Sequence, residues 1–204
     1  MILKASERAY GQDLARHLLN VEDNEHVELV ELRGFISDDL GGAFKESEAM
    51  CRGTKRARKY LFSLSLNPPE DANASLEDFE SAAERIEEKL GLTGQPRALV
   101  LHDKNGRLHA HAVWSRIDAE TMTARQLPHF KRKLMDIAHD LYLEHGWDMP
   151  RGLKAHGIAR AENYDLAEAQ QSKRAKRDTE ELKRLFQTCW EMSDDLTSFR
   201  AGAA

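Results

Sequence analysis

Strand-like alternation and helix-like repeats of apolar residues follow one another along most of this chain. The opening MILKA reads as a short strand. Ser6 then precedes a helical pattern to about Leu19, with Tyr10, Leu14 and Leu18 toward one side. HVELVELRGF has strand character up to Gly34, and Ser37 or Asp38 is placed to cap a helix through Ala43, Phe44 and Met50. KYLFSLSL is a clearer strand, halted by Pro68 and Pro69 because proline cannot donate to a ladder. Ser75 with Asp78 forms a capping box with Asp in place of Glu. Leu76, Phe79, Ala83, Ile86 and Leu90 then recur at helical spacing until Gly91.

RALVLH and RLHAHAVWSRI are two further strands, and after Pro128 the residues Leu134, Ile137, Ala138 and Leu141 predict a helix that Gly146 ends. GWDMPRGL is rich in turn residues. Beyond it, about 164–196 reads as one or two charged helices. The order of elements predicts an α+β fold: a two-layer sandwich whose central, mainly antiparallel sheet is flanked by helices.

Between the last two strands lies HDKNGRLHAH, with three of the chain's nine histidines around Asn105-Gly106. Asn-Gly suits a type I′ hairpin turn, where both central residues need positive φ. That turn pairs Lys104 with Arg107, Asp103 with Leu108 and His102 with His109, and His111 lies two residues on along the same face. One short turn therefore gathers three imidazoles, while Leu99, Leu101, Leu108, Ala110, Ala112 and Trp114 take the other face. A slip of one residue would exchange the two sets, so the apolar face sets the register independently. Trp114 is thus expected in the core rather than as a base-stacking platform. Three imidazolium groups at this spacing would repel one another, whereas a metal ion binds them neutral. Three neutral ligands leave coordination positions open, as in catalytic sites. All-nitrogen donors favour zinc, nickel, cobalt or manganese over magnesium.

Composition adds bounds. At 204 residues, 41% hydrophobic and 32% charged, the chain suffices for one sizeable domain with a helical appendage. It shows neither a signal-peptide start nor an apolar run long enough for a membrane span. Cys51 and Cys189 form no motif and read as reduced thiols of a cytoplasmic protein. The net charge of -5 argues mildly against nucleic acid, but the charges segregate. Arg52, Lys55, Arg56, Arg58 and Lys59 cluster without an acid among them; Lys131, Arg132 and Lys133 form a second group, and Lys173, Arg174, Lys176 and Arg177 a third. Such surfaces can hold phosphates despite an acidic total.

The segment from KYLFSLSLNPPED to ALVLHDKNGRLHAHAVWSRID resembles the relaxase, or mobilization nuclease, family of the HUH endonuclease class. Its central motif is similar to H-x-D-x-x-H-x-H-x-H, whose first, third and fourth histidines hold the metal; those positions are His102, His109 and His111 here. Lys104 replaces the motif's Asp, Arg107 its second histidine, and Ser115 stands where an Asn often follows the last. The resemblance covers about residues 1 to 150 and implies a relaxase domain over 1–151. A helical C-terminal extension, 152–204, could lead into a further region.

The implied activity is metal-dependent (Mn, Mg, Zn or Ni), site- and strand-specific nicking and rejoining of DNA at a plasmid transfer origin. It runs through a covalent 5′-phosphate intermediate. Implied partners are single-stranded or supercoiled origin DNA, relaxosome accessory proteins and a type IV secretion coupling protein, with no membrane insertion. Members usually carry a tyrosine nucleophile on the first helix, in x-x-Y-L-L; this chain has ARHLLN, so the matching residue is His17. Tyr10, two turns earlier, is a substitute, and Tyr60 a weaker one. The clusters at 52–59 and 131–133, with Arg107, would track the DNA backbone. A carboxylate is expected to hold the outer nitrogen of a ligand histidine, with Glu25, Glu28 and Glu31 as candidates. Two other readings stand beside this one within the same fold: a weak or inactive DNA-binding accessory, and a rolling-circle replication or transposition nuclease. A metal-binding hydrolase unrelated to DNA is a third.

Overall fold

The computed structural model describes residues 1–21, 25–104, 106–154, 179–193, 196 and 199–200. Its elements are β1 (Ile2–Arg8), α1 (Gly11–Leu18), β2 (His26–Arg33), α2 (Leu40–Arg52), β3 (Leu61–Asn67), α3 (Leu76–Leu90), β4 (Arg97–Lys104) and β5 (Arg107–Ser115). There follow the small pair β6 (Ile117–Asp118) and β7 (Thr123–Ala124), then α4 (Phe130–Glu144), α5 (Arg151–Lys154) and α6 (Thr179–Glu191). The chain divides into two compact units, Met1–His156 and Gly157–Ala204. In the second, α6 is the regular element described. The basic cluster at 173–177 and much of the charged stretch expected there lie outside the described residues.

Five strands form one sheet in the order β1-β3-β5-β4-β2, with every neighbouring pair antiparallel. The expected α+β fold with a helix-flanked antiparallel sheet is the one observed. Helices cover both faces, so the single helical layer of the sandwich becomes two. The reason is visible in β3. Phe62, Leu64 and Leu66 join Leu99, Leu101, Ala110, Ala112 and Trp114 against α3 and α4, through Phe79, Ile86, Leu134 and Ile137. On the other face Leu61, Ala98, Val100 and Val113 pack on Leu14, Leu18, Ala43 and Phe44 of α1 and α2. That second face is apolar only at one end. Farther along it carries Ser63, Ser65, Asn67 and the histidines, which offer a helix nothing to bury, and there the helical cover stops.

The helix signals held where they were local. Ser75 and Asp78 make the capping box, Gly91 ends α3 with a φ of 71°, and Gly146 follows α4 with a φ of 65°. Two boundaries moved. Strand β1 runs to Arg8, so Ser6 lies inside it, and α1 starts at Gly11 with Tyr10 as its cap residue. The cap of α2 is Asp39, whose Oδ1 accepts from the Gly42 N–H at 2.8 Å, while the Ser37 hydroxyl accepts from the Asp39 N–H.

Candidate metal centre and nucleic-acid interface

The hairpin register is the one the turn predicts: Lys104 pairs with Arg107, Asp103 with Leu108, His102 with His109. Gly106 has a φ of 72°, the conformation a type I′ turn asks of it; Asn105 lies outside the described residues. Trp114 is fully buried, and its Nε1–H donates to Glu87 Oε1 at 2.7 Å. It belongs to the core, as the alternation required.

His102, His109 and His111 converge. Their ring centroids are 5.1, 4.7 and 5.6 Å apart, and one nitrogen from each lies within 4.8 Å of the others. Imidazoles bound about 2.1 Å from one ion need nitrogens roughly 3–3.5 Å apart, so modest side-chain rotation closes the set. His102 is the buried member, 4% exposed beneath the end of α1. Its Nε2 lies 2.7 Å from the Leu18 carbonyl oxygen. A carbonyl can only accept, so this nitrogen carries the proton and Nδ1 keeps the lone pair.

The electrostatics keep the three rings unprotonated. Burial pushes the pKa of His111 down to about 3, helped by the nearby His102, His109 and His17. Burial likewise lowers His102 and His109; the Leu18 carbonyl opposes it at His102, and His102 reinforces it at His109. At neutral pH all three rings are uncharged, the state a metal requires. The residues present therefore fit a divalent ion.

Of the expected carboxylate partners, Glu28 and Glu31 are engaged elsewhere. Val27 is the residue opposite His102, and Glu28 falls on the other face and approaches His26 at 3.6 Å. Glu31 accepts from Arg97, and Glu25 meets Asp103 through its main chain. A helix-end carbonyl orients His102 instead, a substitution that no spacing in the sequence signals.

His17, in the last turn of α1, shares a cavity of about 200 Å³ with His111, Lys4, Arg8, Ser63 and Ser65. Tyr10 is 76% exposed and opens onto a separate hollow of about 370 Å³ with Arg52, Arg58 and Cys51. Tyr60 is buried, its hydroxyl accepting from the Gly11 N–H at 2.9 Å. The structure thus brings His17, and neither tyrosine, into a common cavity with a histidine of the hairpin.

The basic residues are more scattered. Arg107 lines the recess beside His109, held by Glu70 at 3.1 Å and the Pro68 carbonyl at 2.8 Å. Arg52 pairs with Glu48 at 2.7 Å, and Lys59 stands 3.9 Å from Glu7. Lys55, Arg56 and Arg58 are exposed in the turn after α2. Lys131, Arg132 and Lys133 begin α4, which packs on the sheet face opposite the histidines. Sequence reasoning missed Lys4, Arg8, Ser63 and Ser65, which reach the histidine face through the β1–β3 pairing.

A hairpin bringing three imidazoles together on an antiparallel sheet defines a candidate metal centre, with Lys4, Arg8, Lys104 and Arg107 among the residues lining the cavities beside it. The family described as "Relaxase: MobA/VirD2-like, nuclease domain" matches residues 16–147, and the chain belongs to this family. The match takes in His17, the four strands β2 to β5 and the whole hairpin. No curated protein and no solved structure gives a significant match. Membership carries a DNA substrate and, in general terms, DNA-nicking chemistry. Among the described residues no helix is long and apolar enough to cross a membrane.

Proposed function

We propose that this chain is a metal-dependent relaxase that nicks and rejoins one strand at a plasmid transfer origin, with His17 as nucleophile. The observation that carries this reading is the cavity shared by His17 and His111. An imidazole outside the ligand set that lines one cavity with a ligand histidine supports attack on a phosphate held over that set.

A divalent ion held by His102, His109 and His111 would draw charge from the non-bridging oxygens of the scissile phosphate. Manganese, zinc or nickel suits the donors better than magnesium. The unprotonated nitrogen of His17 attacks phosphorus, forming a P–N bond as the bond to the 3′ oxygen breaks. The second ring nitrogen then releases its proton, and the departing 3′ oxygen takes one up to become a free hydroxyl. The protein is left joined to the 5′ phosphate, and attack by another 3′-OH reverses the step. Residues 1–151 would carry this chemistry and 152–204 form a helical extension. Accessory relaxosome proteins, a type IV secretion coupling protein and a cytoplasmic setting complete the proposal.

The test is incubation with supercoiled DNA bearing the origin and Mn²⁺, followed by protease. Nicked circles with a peptide on the 5′ end are expected, and mass spectrometry should place the adduct on His17. An adduct on Tyr10 would reassign the nucleophile. No nicked product would favour the second reading, a DNA-binding accessory of the same fold. The specific observation on that side is that His17 stands where a tyrosine is usual, while Tyr10 faces another hollow.

A further inference from the structure

The nicking scheme leaves without a role a larger recess beside the histidines. It measures about 730 Å³ and is bordered by Ile2, Lys4, Asn67, Lys104, Arg107 and His109. The ladders explain why these residues meet. Lys4 pairs with Ser65, and Ser65 with His111 on its other side. Neighbouring strands are about 4.8 Å apart, which puts the Lys4 row about 10 Å from the His111 row. Lys104 follows His102 by two residues in β4 and so shares its face.

The charges in this recess are uneven. Glu70 is its acid, and it already accepts from Arg107. Lys4 and Lys104 are both exposed, and neither ammonium has a hydrogen bond or ion pair among the described residues. The floor is neutral and polar: Asn67 Nδ2 donates to Ser65 Oγ at 3.1 Å and to the Ile2 carbonyl at 3.4 Å. Two unpaired ammonium groups over an uncharged floor suit a phosphate, and they repel a metal ion. An ammonium is a compact point charge with three donors, which holds a phosphate without reading the base attached to it.

We propose that Lys4 and Lys104 form a second phosphate subsite, holding the DNA strand through backbone phosphates beside the one over the histidines. The assignment rests on the DNA-nicking reading, which supplies the strand. It also accounts for Lys104 at the position where the resembling motif carries Asp. A carboxylate there would repel the strand that a lysine holds. The cluster on α4, across the sheet, takes no part in this subsite.

The experiment is fluorescence anisotropy of a labelled oligodeoxythymidine of ~15 nucleotides, across a salt series in EDTA. Each single-strand phosphate contact adds about 0.7 to the slope of log affinity against log salt, so Lys4→Gln/Lys104→Gln should lower the slope by about 1.4. Lys4→Arg/Lys104→Arg should retain it, as should Lys89→Gln/Lys154→Gln, which removes two exposed charges from α3 and α5. Calorimetric Mn²⁺ binding should persist in every variant. If the double variant misfolds, Lys104→Gln alone, at the exposed end of the hairpin, decides with a drop of about 0.7. A slope equal to wild type in a folded variant overturns the subsite and leaves the nicking reading standing. An equal loss in the Lys89→Gln/Lys154→Gln variant also overturns it, since net charge alone would explain both. Wild-type protein without affinity for the oligonucleotide removes the subsite and the DNA reading together.

Discussion

The Nε2–H of His102 donates to the main-chain carbonyl of Leu18 across 2.7 Å in a buried setting. This bond joins a candidate metal ligand to the residue after His17. It also satisfies a carbonyl at the end of α1, where helices run out of internal donors. The helix C-terminus carries partial negative charge, so it polarises the ring and makes Nδ1 a better donor to a cation.

Removing the ring should therefore do two things. His102→Ala leaves the Leu18 carbonyl buried and unpaired, at about 1–3 kcal/mol. The denaturation midpoint should fall, amide exchange in α1 should speed up relative to α2, and Mn²⁺ binding should disappear from calorimetry. Exchange in α1 matching the wild type would show that the bond does not hold the helix.

The depressed histidines set a pH dependence. All three folded-state values lie below the ordinary 6.5, that of His111 at about 3. An unfolded chain protonates these rings as pH falls below 6.5, while the folded chain leaves them neutral. Metal-free protein should thus keep its stability above that value and lose it progressively on acidification. Urea midpoints at about pH 7.5 and about pH 5 measure the slope, which His111→Gln should flatten. A midpoint that rises toward acid would contradict the neutral triad.

The buried Tyr60 hydroxyl supports the start of α1 by accepting from the Gly11 N–H. Tyr60→Phe removes the acceptor of the Gly11 N–H and should cost about 1–2 kcal/mol by thermal melting, with the protein–DNA adduct still forming. Gly11→Ala should be worse. A Cβ there would lie 2.9 Å from Phe44 Cβ and 3.0 Å from the Tyr60 hydroxyl, forcing α1 away from α2.

On the far side of the sheet, Ser75→Ala breaks the capping box of α3 and should cost about 1 kcal/mol. Because α3 packs on the face opposite the histidines, Mn²⁺ and oligonucleotide affinities should not change. A loss of either would mean that the two faces are coupled through the sheet.

How much could be read in advance follows from how far apart the interacting residues lie. The β4–β5 register was legible because a turn of two residues and the alternation beside it act within one hairpin. The capping box of α3 and the stop at Gly91 were legible for the same reason. Ser6 misled as a helix start because its strand conformation depends on pairing with Ser63, far along the chain. Glu28 misled because only the β2–β4 register shows Val27, and not Glu28, opposite His102.

What the residue order settled is therefore local: which segments are strands and helices, and that three histidines share one face of one hairpin. Periodicity, turn chemistry and caps operate over a few neighbouring residues, so they can be read along the line. Tertiary packing alone decided the rest. It put helices on both faces, ended α1 over His102, brought His17 beside His111 and laid Lys4 within the recess beside His109. Each depends on which distant surfaces bury one another best, and that is a property of the whole folded chain.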